Sequence, residues 1–248
     1  MQDKITVLVP TSPIPSHPDT RIIEETINSV RTHLPKSEII LMIDGVRSEQ
    51  KEKAEVYQEY IRRLLHISNK QRCYPIIHQH HQHQANMTIN ALEHVRTPLI
   101  LFVEHDTPIT PDREIDWQGI SEAVLSGQAD LVRLHHEAFI LDVHKYLMFD
   151  TEPQLISGAP MMRTQQWSQR PHIASTSFYR RILNNHFNGN NTMIEDKMYG
   201  VVEQACQDGV QGWYNFRLWI YTPSGDIKRS YHLDGREGEP KYEESFGL

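Results

Sequence analysis

The chain has 248 residues, 23% charged and 38% hydrophobic, enough for one large or two small globular domains with a substantial core. Its net charge of −7 makes no overall electrostatic case for nucleic-acid binding, and its two cysteines, Cys73 and Cys206, exclude a disulfide framework and a cysteine-rich metal site. No apolar run approaches a membrane span and no signal-peptide stretch precedes the first strand, so the expectation is no integral membrane segment and a cytoplasmic location.

In chain order, residues 5–9 form a β-rich run closed by Pro10. Residues 11–18 carry three prolines and two serines and read as a loop. Asp19 or Thr20 caps a helix whose apolar stripe is Ile22, Ile23, Ile27 and Val30, and Pro35 ends it. Residues 38–43 are a second strand stopped by Asp44-Gly45, and residues 48–65 a charged amphipathic helix. A third strand over 73–78, a helix over 84–95 and a fourth strand over 99–103 complete a β-α-β-α-β-α-β order, which predicts a mostly parallel sheet with right-handed crossovers. The second half is less regular. It reads as helix at 120–125, strand at 130–134, short strands at 146–149 and 159–163, and a short helix at 177–183. A mobile asparagine-rich loop at 184–191, a helix at 195–207 and a strand at 216–221 follow. From Pro223 the tail is polar and glycine-containing, a candidate lid.

The most informative junction is where Leu99-Ile100-Leu101-Phe102-Val103 ends in Glu104-His105-Asp106. Ligands of open α/β sheets bind beyond the carboxyl ends of the strands. Two carboxylates there can hold a hard divalent cation, and the cation can hold a diphosphate. A second acidic pair, Glu195-Asp196, stands at the head of a helix.

The order of these motifs resembles the GT-A glycosyltransferases, most closely the family 2 type. Val7-Leu8-Val9-Pro10-Thr11 is similar to their opening strand and loop, and Glu38-Ile39-Ile40 running to Asp44-Gly45 to their second strand. The helix containing Asn90 that leads into Glu104-His105-Asp106 resembles their approach to the Asp-x-Asp strand. Ser177 to Arg181 resembles the segment before their acceptor-side loop. Ile194-Glu195-Asp196 resembles their Glu-Asp base motif, and Tyr231-His232 their late metal-site histidine. The likeness spans roughly residues 5–232. Ile43 and Glu104 stand where the family usually has aspartates.

The resemblance implies an α/β GT-A (nucleotide-diphospho-sugar transferase) fold, with a mostly parallel sheet flanked by helices and a smaller mixed acceptor-side part. It implies one catalytic domain over 1–222, divided into a nucleotide-binding half (1–106) and an acceptor half (107–222), then a tail or lid over 223–248. The implied activity is metal-dependent transfer of a sugar from a nucleotide-diphosphate donor, UDP-linked by family habit, to a hydroxyl acceptor. Asp196 would act as base, with Glu195 beside it, and the outcome would be inversion. Pro10, Thr11, Asp44, Asn90, Glu104, His105 and Asp106 would bind the donor; Asp106, Glu104 and His232 would hold Mn²⁺ or Mg²⁺. The acceptor is open among a glycan, a small molecule, a protein and a modified nucleic-acid base. The competing functions are a nucleotidyltransferase and a non-catalytic nucleotide-sugar-binding protein. The absence of Gly, Lys and Arg from residues 11–18 weighs against the nucleotidyltransferase.

Plainer roles compete at several positions. Glu195 and Asp196 suit any helix N-terminus. The run from His78 to His83 reads as a surface turn, and Trp117, Trp167, Trp213 and Tyr214 as core or rim aromatics. Arg163, Arg170, Arg180 and Arg181 either solvate a surface or meet phosphate on donor or acceptor.

Overall fold

A computed structural model describes residues 2–137, 139–189, 192–223, 228–234 and 241–242. The strands are β1 (Ile5–Thr11), β2 (Glu38–Ile43), β3 (Cys73–Ile77), β4 (Leu99–Phe102), β5 (Leu131–Leu134), β6 (Gln154–Ile156), β7 (Ala159–Arg163), β8 (His172–Ser175) and β9 (Leu218–Tyr221), with a short pair β10 (Leu233–Asp234) and β11 (Lys241–Tyr242) outside the main sheet. The helices are α1 (Arg21–His33), α2 (Ala54–Gln71), α3 (His83–His94), α4 (Trp117–Leu125), α5 (Thr176–His186), α6 (Ile194–Ala205) and α7 (Val210–Trp213).

Strands β1 to β9 form one sheet in the order β3-β2-β1-β4-β8-β5-β9-β7-β6. The first four are parallel, as the strand–helix alternation predicts. All seven residues of β1 are buried, because a strand at the middle of a helix-covered sheet has no solvent face. Beyond β4 the sheet is mixed: β8 runs antiparallel to both β4 and β5, β9 is parallel to β5, and β7 antiparallel to β9.

The parallel registers align the carboxyl ends of the strands. Thr11 pairs with Ile43, Leu8 with Phe102 and Ile43 with Ile77. Backbone bonds continue past the strand ends, from Asp44 N–H to the Thr11 carbonyl (2.9 Å) and from Val103 N–H to the Leu8 carbonyl (3.0 Å). Thr11, Asp44, His78 and Glu104 therefore share one edge of the sheet.

Helix α1 buries Ile22, Ile23, Ile27 and Val30 as its stripe requires. Thr20 occupies the N-cap, but its hydroxyl donates to Glu24 Oε1 (2.6 Å), and it is Asp19 that accepts the Arg21 N–H (2.7 Å). The expected helix over 48–65 is instead a 3₁₀ segment (Ser48–Lys53), broken at Gln50, followed by α2, which continues to Gln71 because Ile67 and Ser68 are also buried.

Further departures lie in the second half. Residues 146–149 are not a strand: a 3₁₀ helix covers Asp142–Leu147, and Met148 forms only an isolated bridge to Thr164. Tyr146 is exposed and only Leu147 is buried, so the segment has no alternating face to lay on the sheet. Residues 184–186 of the expected loop are the last turn of α5, 190–191 lie outside the described residues, and of the expected lid so do 224–227, 235–240 and 243–248. No helix among the described residues is long and apolar enough to cross a membrane.

Candidate active site

The acidic tip of β4 is held from behind by α1. The buried Thr26 hydroxyl donates to the His105 carbonyl (2.8 Å), and the Ser29 hydroxyl accepts the Ile109 N–H (3.0 Å). A late segment then threads alongside. Tyr231 N–H bonds the Pro108 carbonyl (3.1 Å), Leu233 N–H bonds the Asp106 carbonyl (2.8 Å), and Ser230 bridges Ile109. This ladder sets His232 Nε2 3.3 Å from Asp106 Oδ2.

Glu104 and Asp106 are driven apart in acidity. Burial raises Glu104, and the neighbouring carboxylates of Asp106 and Glu195 push the same way. Burial also works against ionised Asp106, but His105 and the hydrogen bond from His232 outweigh it and hold this carboxyl below its ordinary value.

Glu104 Oε1 accepts from Gln84 Nε2 (2.8 Å). Gln84, in the first turn of α3 and almost wholly buried, uses its own carbonyl oxygen twice: Ile194 N–H donates to it (3.0 Å), and so does Gln169 Nε2 (3.1 Å). Gln169, fully buried, accepts the Trp167 indole N–H at 2.9 Å, and its backbone N–H donates to Glu195 Oε2 at 3.2 Å. Two buried amides thus tie the β4 tip to the head of α6 and fix Glu104 and Glu195 relative to each other. Replacing Gln84 by leucine leaves the Ile194 N–H and the Gln169 amide without an acceptor. A loss of stability of about 1–3 kcal/mol is expected for each orphaned group, read as a lowered denaturant midpoint at unchanged m-value.

The expected site residues fall into three groups. Asp106 and His232 are in contact, and Glu104 is within electrostatic reach of both Asp106 and Glu195. Asp44 is at the tip of β2, with β1 between it and β4, and its carboxylate is already engaged: Oδ1 accepts from Gly45 N–H (2.8 Å) and Gln82 N–H (2.7 Å), Oδ2 from His83 N–H (3.1 Å), and His81 Nδ1 is 2.8 Å from Oδ2. The His78–His83 turn is therefore wrapped on Asp44. It packs so closely on Gly45 that a Cβ there would fall on the backbone of His80. His83, at the start of α3, is held at φ +61°, a conformation that L residues seldom adopt.

Thr11 shares a hydrogen bond with Tyr60 (2.9 Å), whose ring stacks on His17 at 3.7 Å, and Pro10 is buried within β1. The His105 ring is buried, with no hydrogen-bond partner for Nε2 among the described residues. Asn90 stands apart. It is half-buried seven residues into α3, roughly 10 Å along the helix from His83 and the strand tips. Asp196 is exposed in the first turn of α6, near enough to His83 for its charge to bear on that ring. Ile43, in the place of a usual aspartate, is core.

Among the described residues no three His, Cys, Asp or Glu side chains converge to enclose a cation. Asp106 and His232 do supply an anionic oxygen and an imidazole nitrogen in contact, beside a carboxylate whose acidity is suppressed by burial and then by the neighbouring carboxylates. That donor set fits a divalent ion that takes its remaining ligands from a bound diphosphate.

Other motifs are structural. Arg163 pairs with Asp150 (2.6 Å), Arg180 donates to the Leu92 and Val95 carbonyls at the end of α3, and Arg181 donates to the Asn215 carbonyl. Trp117, Trp167 and Trp213 are buried, and Tyr214 is exposed. Arg170, by contrast, faces a cavity bordered by Glu195.

No family model matches the chain, and neither does any curated protein. Solved structures do. S. aureus TarS 1–349 has a TM-score of 0.53 at 15% identity, over 92% of this chain and 60% of its own. Mannosyltransferase PcManGT from Pyrobaculum calidifontis, in complex with GDP-Man and Mn²⁺, has a TM-score of 0.51 at 12% identity, over 91% and 56%. GalNAc-T7 with UDP, GalNAc and Mn²⁺ has 0.58 at 10% identity, over 95% and 44%. The chain thus spans between two fifths and three fifths of the length of these structures. They are GT-A-type glycosyltransferases, and the parallel β3-β2-β1-β4 half of this chain with the mixed half beyond it lies on the same framework: the protein has the GT-A fold.

Proposed function

We propose that the protein is a metal-dependent glycosyltransferase, moving a sugar from a nucleotide-diphosphate donor to a hydroxyl acceptor with inversion. The observation that carries this reading is the meeting of Asp106 with His232 beside Glu104, at the strand edge where this fold receives ligands. Residues 1–106 would form the nucleotide half and 107–222 the acceptor half. Similar folds solved with UDP-GlcNAc, with GDP-Man and Mn²⁺, and with UDP and Mn²⁺ support it.

Asp106 and His232 would hold the ion, with Glu104 beside them. An imidazole ligand inclines the choice toward Mn²⁺ over Mg²⁺. The ion supplies Lewis-acid neutralisation of the departing diphosphate. The chain's own residues do the rest. Thr11, Pro10 and the Asp44-anchored turn, at the tips of β1 and β2, border the nucleoside. His105 and His232, beside Asp106, hold that carboxyl below its ordinary value. Asp196, at the exposed mouth, takes the acceptor hydroxyl's proton on the face opposite the leaving group.

The test is a thermal-shift panel of UDP, GDP and their sugar conjugates, with and without Mn²⁺. One nucleotide is expected to raise Tm only with the metal present, by about 2.7 kcal/mol of added stability at a hundredfold excess over Kd. No shift with any of them removes the donor reading. A shift without turnover on any hydroxyl acceptor leaves the non-catalytic binding protein.

A further inference from the structure

Resting on the acceptor-half assignment, a second site adjoins Glu195. Past the β4 tip, where β5 ends and β8 begins, lies a cavity of about 220 Å³ bordered by Arg133, Arg170, His135, His136, His144 and Glu195. Such a concentration of cationic and imidazole groups inside a protein whose net charge is −7 calls for a cause.

Arg133 is 3% exposed, on β5. Its Nη2 donates to Gln166 Oε1 (3.0 Å), but its Nε–H is buried with no partner among the described residues. An unpaired guanidinium donor in a dry setting is costly, and a site that keeps one is built to have it satisfied by something else. His135 is also buried. Its Nε2–H donates to the Phe139 carbonyl (3.1 Å), which leaves Nδ1 of the neutral ring as an unpartnered acceptor. His136 Nδ1 is a third orphan.

Glu195 balances one guanidinium. The other meets no second carboxylate among the described residues that border the cavity. Charged donors beside an acceptor nitrogen suit an oxyanion flanked by a hydroxyl. The cavity shares His135, Ile140 and Met148 with a neighbouring groove of about 990 Å³, which has room for an extended molecule.

We propose that this cavity is an acceptor subsite for an anionic group, a phosphate or carboxylate carried on a hydroxyl-bearing sugar, with Arg133 and Arg170 binding the oxyanion and His135 Nδ1 accepting from an adjacent hydroxyl. The groove beyond it receives the remainder of the acceptor. The acceptor class is therefore an acidic glycan or sugar phosphate rather than a neutral sugar.

The test is calorimetric titration of the full chain, free of metal and nucleotide, with a hexose phosphate, a hexuronate and the parent neutral hexose. At least one acidic sugar is expected to bind about tenfold more tightly than the hexose, and which of the two does so identifies the anion. R170Q is expected to abolish that preference, and D106N, at the ion site, to preserve it. R133K, which keeps the buried charge but not the Nε–H, tests the orphaned donor without emptying the core and should weaken the same preference. Equal affinity for acidic and neutral sugars, a preference that survives R170Q, or one lost in D106N overturns the proposal. The titration uses neither donor nor Mn²⁺, so its failure is separate from that of the nucleotide panel.

Discussion

Replacing Asp196 by asparagine is expected to slow sugar transfer by about 10²–10⁴-fold while leaving the affinity for the nucleotide donor unchanged. The substitution keeps the size of the side chain and removes only its basicity. Asp196 is exposed and anchors nothing among the described residues, so the loss should appear in kcat without a change in denaturant midpoint. Glu195 is the control. Its Oε2 accepts the Gln169 N–H, and its charge bears on both Glu104 and Arg133, so E195Q disturbs the network that sets the cleft and should lower stability as well as rate. Transfer rates measured beside donor titrations separate the roles. Full transfer in D196N with transfer abolished in E195Q would move the base to Glu195; full transfer in both would end the catalytic reading of the pair.

The ambiguity within that pair shows where sequence reasoning stopped. Adjacent residues on a helix point about 100° apart, so Ile194-Glu195-Asp196 names a motif without saying which acid turns inward. That direction depends on Gln84 and Gln169, distant in sequence and bearing no charge or motif. The one available hint was a glutamine in the first turn of the helix that feeds the acidic strand. The parallel half was legible because runs such as residues 5–9 and 99–103 are continuous, apolar and bounded by breakers, as strands buried on both faces must be. Strand β8 was not. It is four residues long and opens on a histidine, and neither its length nor its composition announces a central strand. His232 was reachable only through the family resemblance, since its approach to Asp106 comes from backbone pairing between residues more than a hundred positions apart.

The same buried histidines make acid unfolding the second large effect. His17 is stacked on Tyr60 and accepts the Ile14 N–H through Nδ1; burial lowers its pKa to about 3. His135 is likewise held to about 3, by burial and then by the Arg133 charge. His172, fully buried in β8, donates from Nδ1 to the Arg170 carbonyl (2.8 Å) and accepts the Tyr179 hydroxyl at Nε2 (2.5 Å), a tautomer that fits only the neutral ring; burial brings it to about 4. Below the unfolded value of 6.5 the unfolded chain binds protons at these three positions and the folded chain does not. Stability therefore falls as pH drops from 6.5 toward 4, by on the order of 3 kcal/mol per ring, comparable in sum with the 5–15 kcal/mol typical of a domain. Asp106, held below its ordinary value, adds a loss below pH 3.8. Glu104 works the other way, because its raised pKa keeps a proton in the fold that the unfolded chain releases above 4.5, but it is one group against three. Cooperative loss of the near-ultraviolet circular dichroism signal is expected between pH 6 and 4, with limits taken from these shifts. H17F keeps the stack on Tyr60 while removing one titrating ring, and should move the midpoint to lower pH. A midpoint that stays put in H17F, or a chain that remains folded at pH 3, would mean that these rings accept protons without leaving the core.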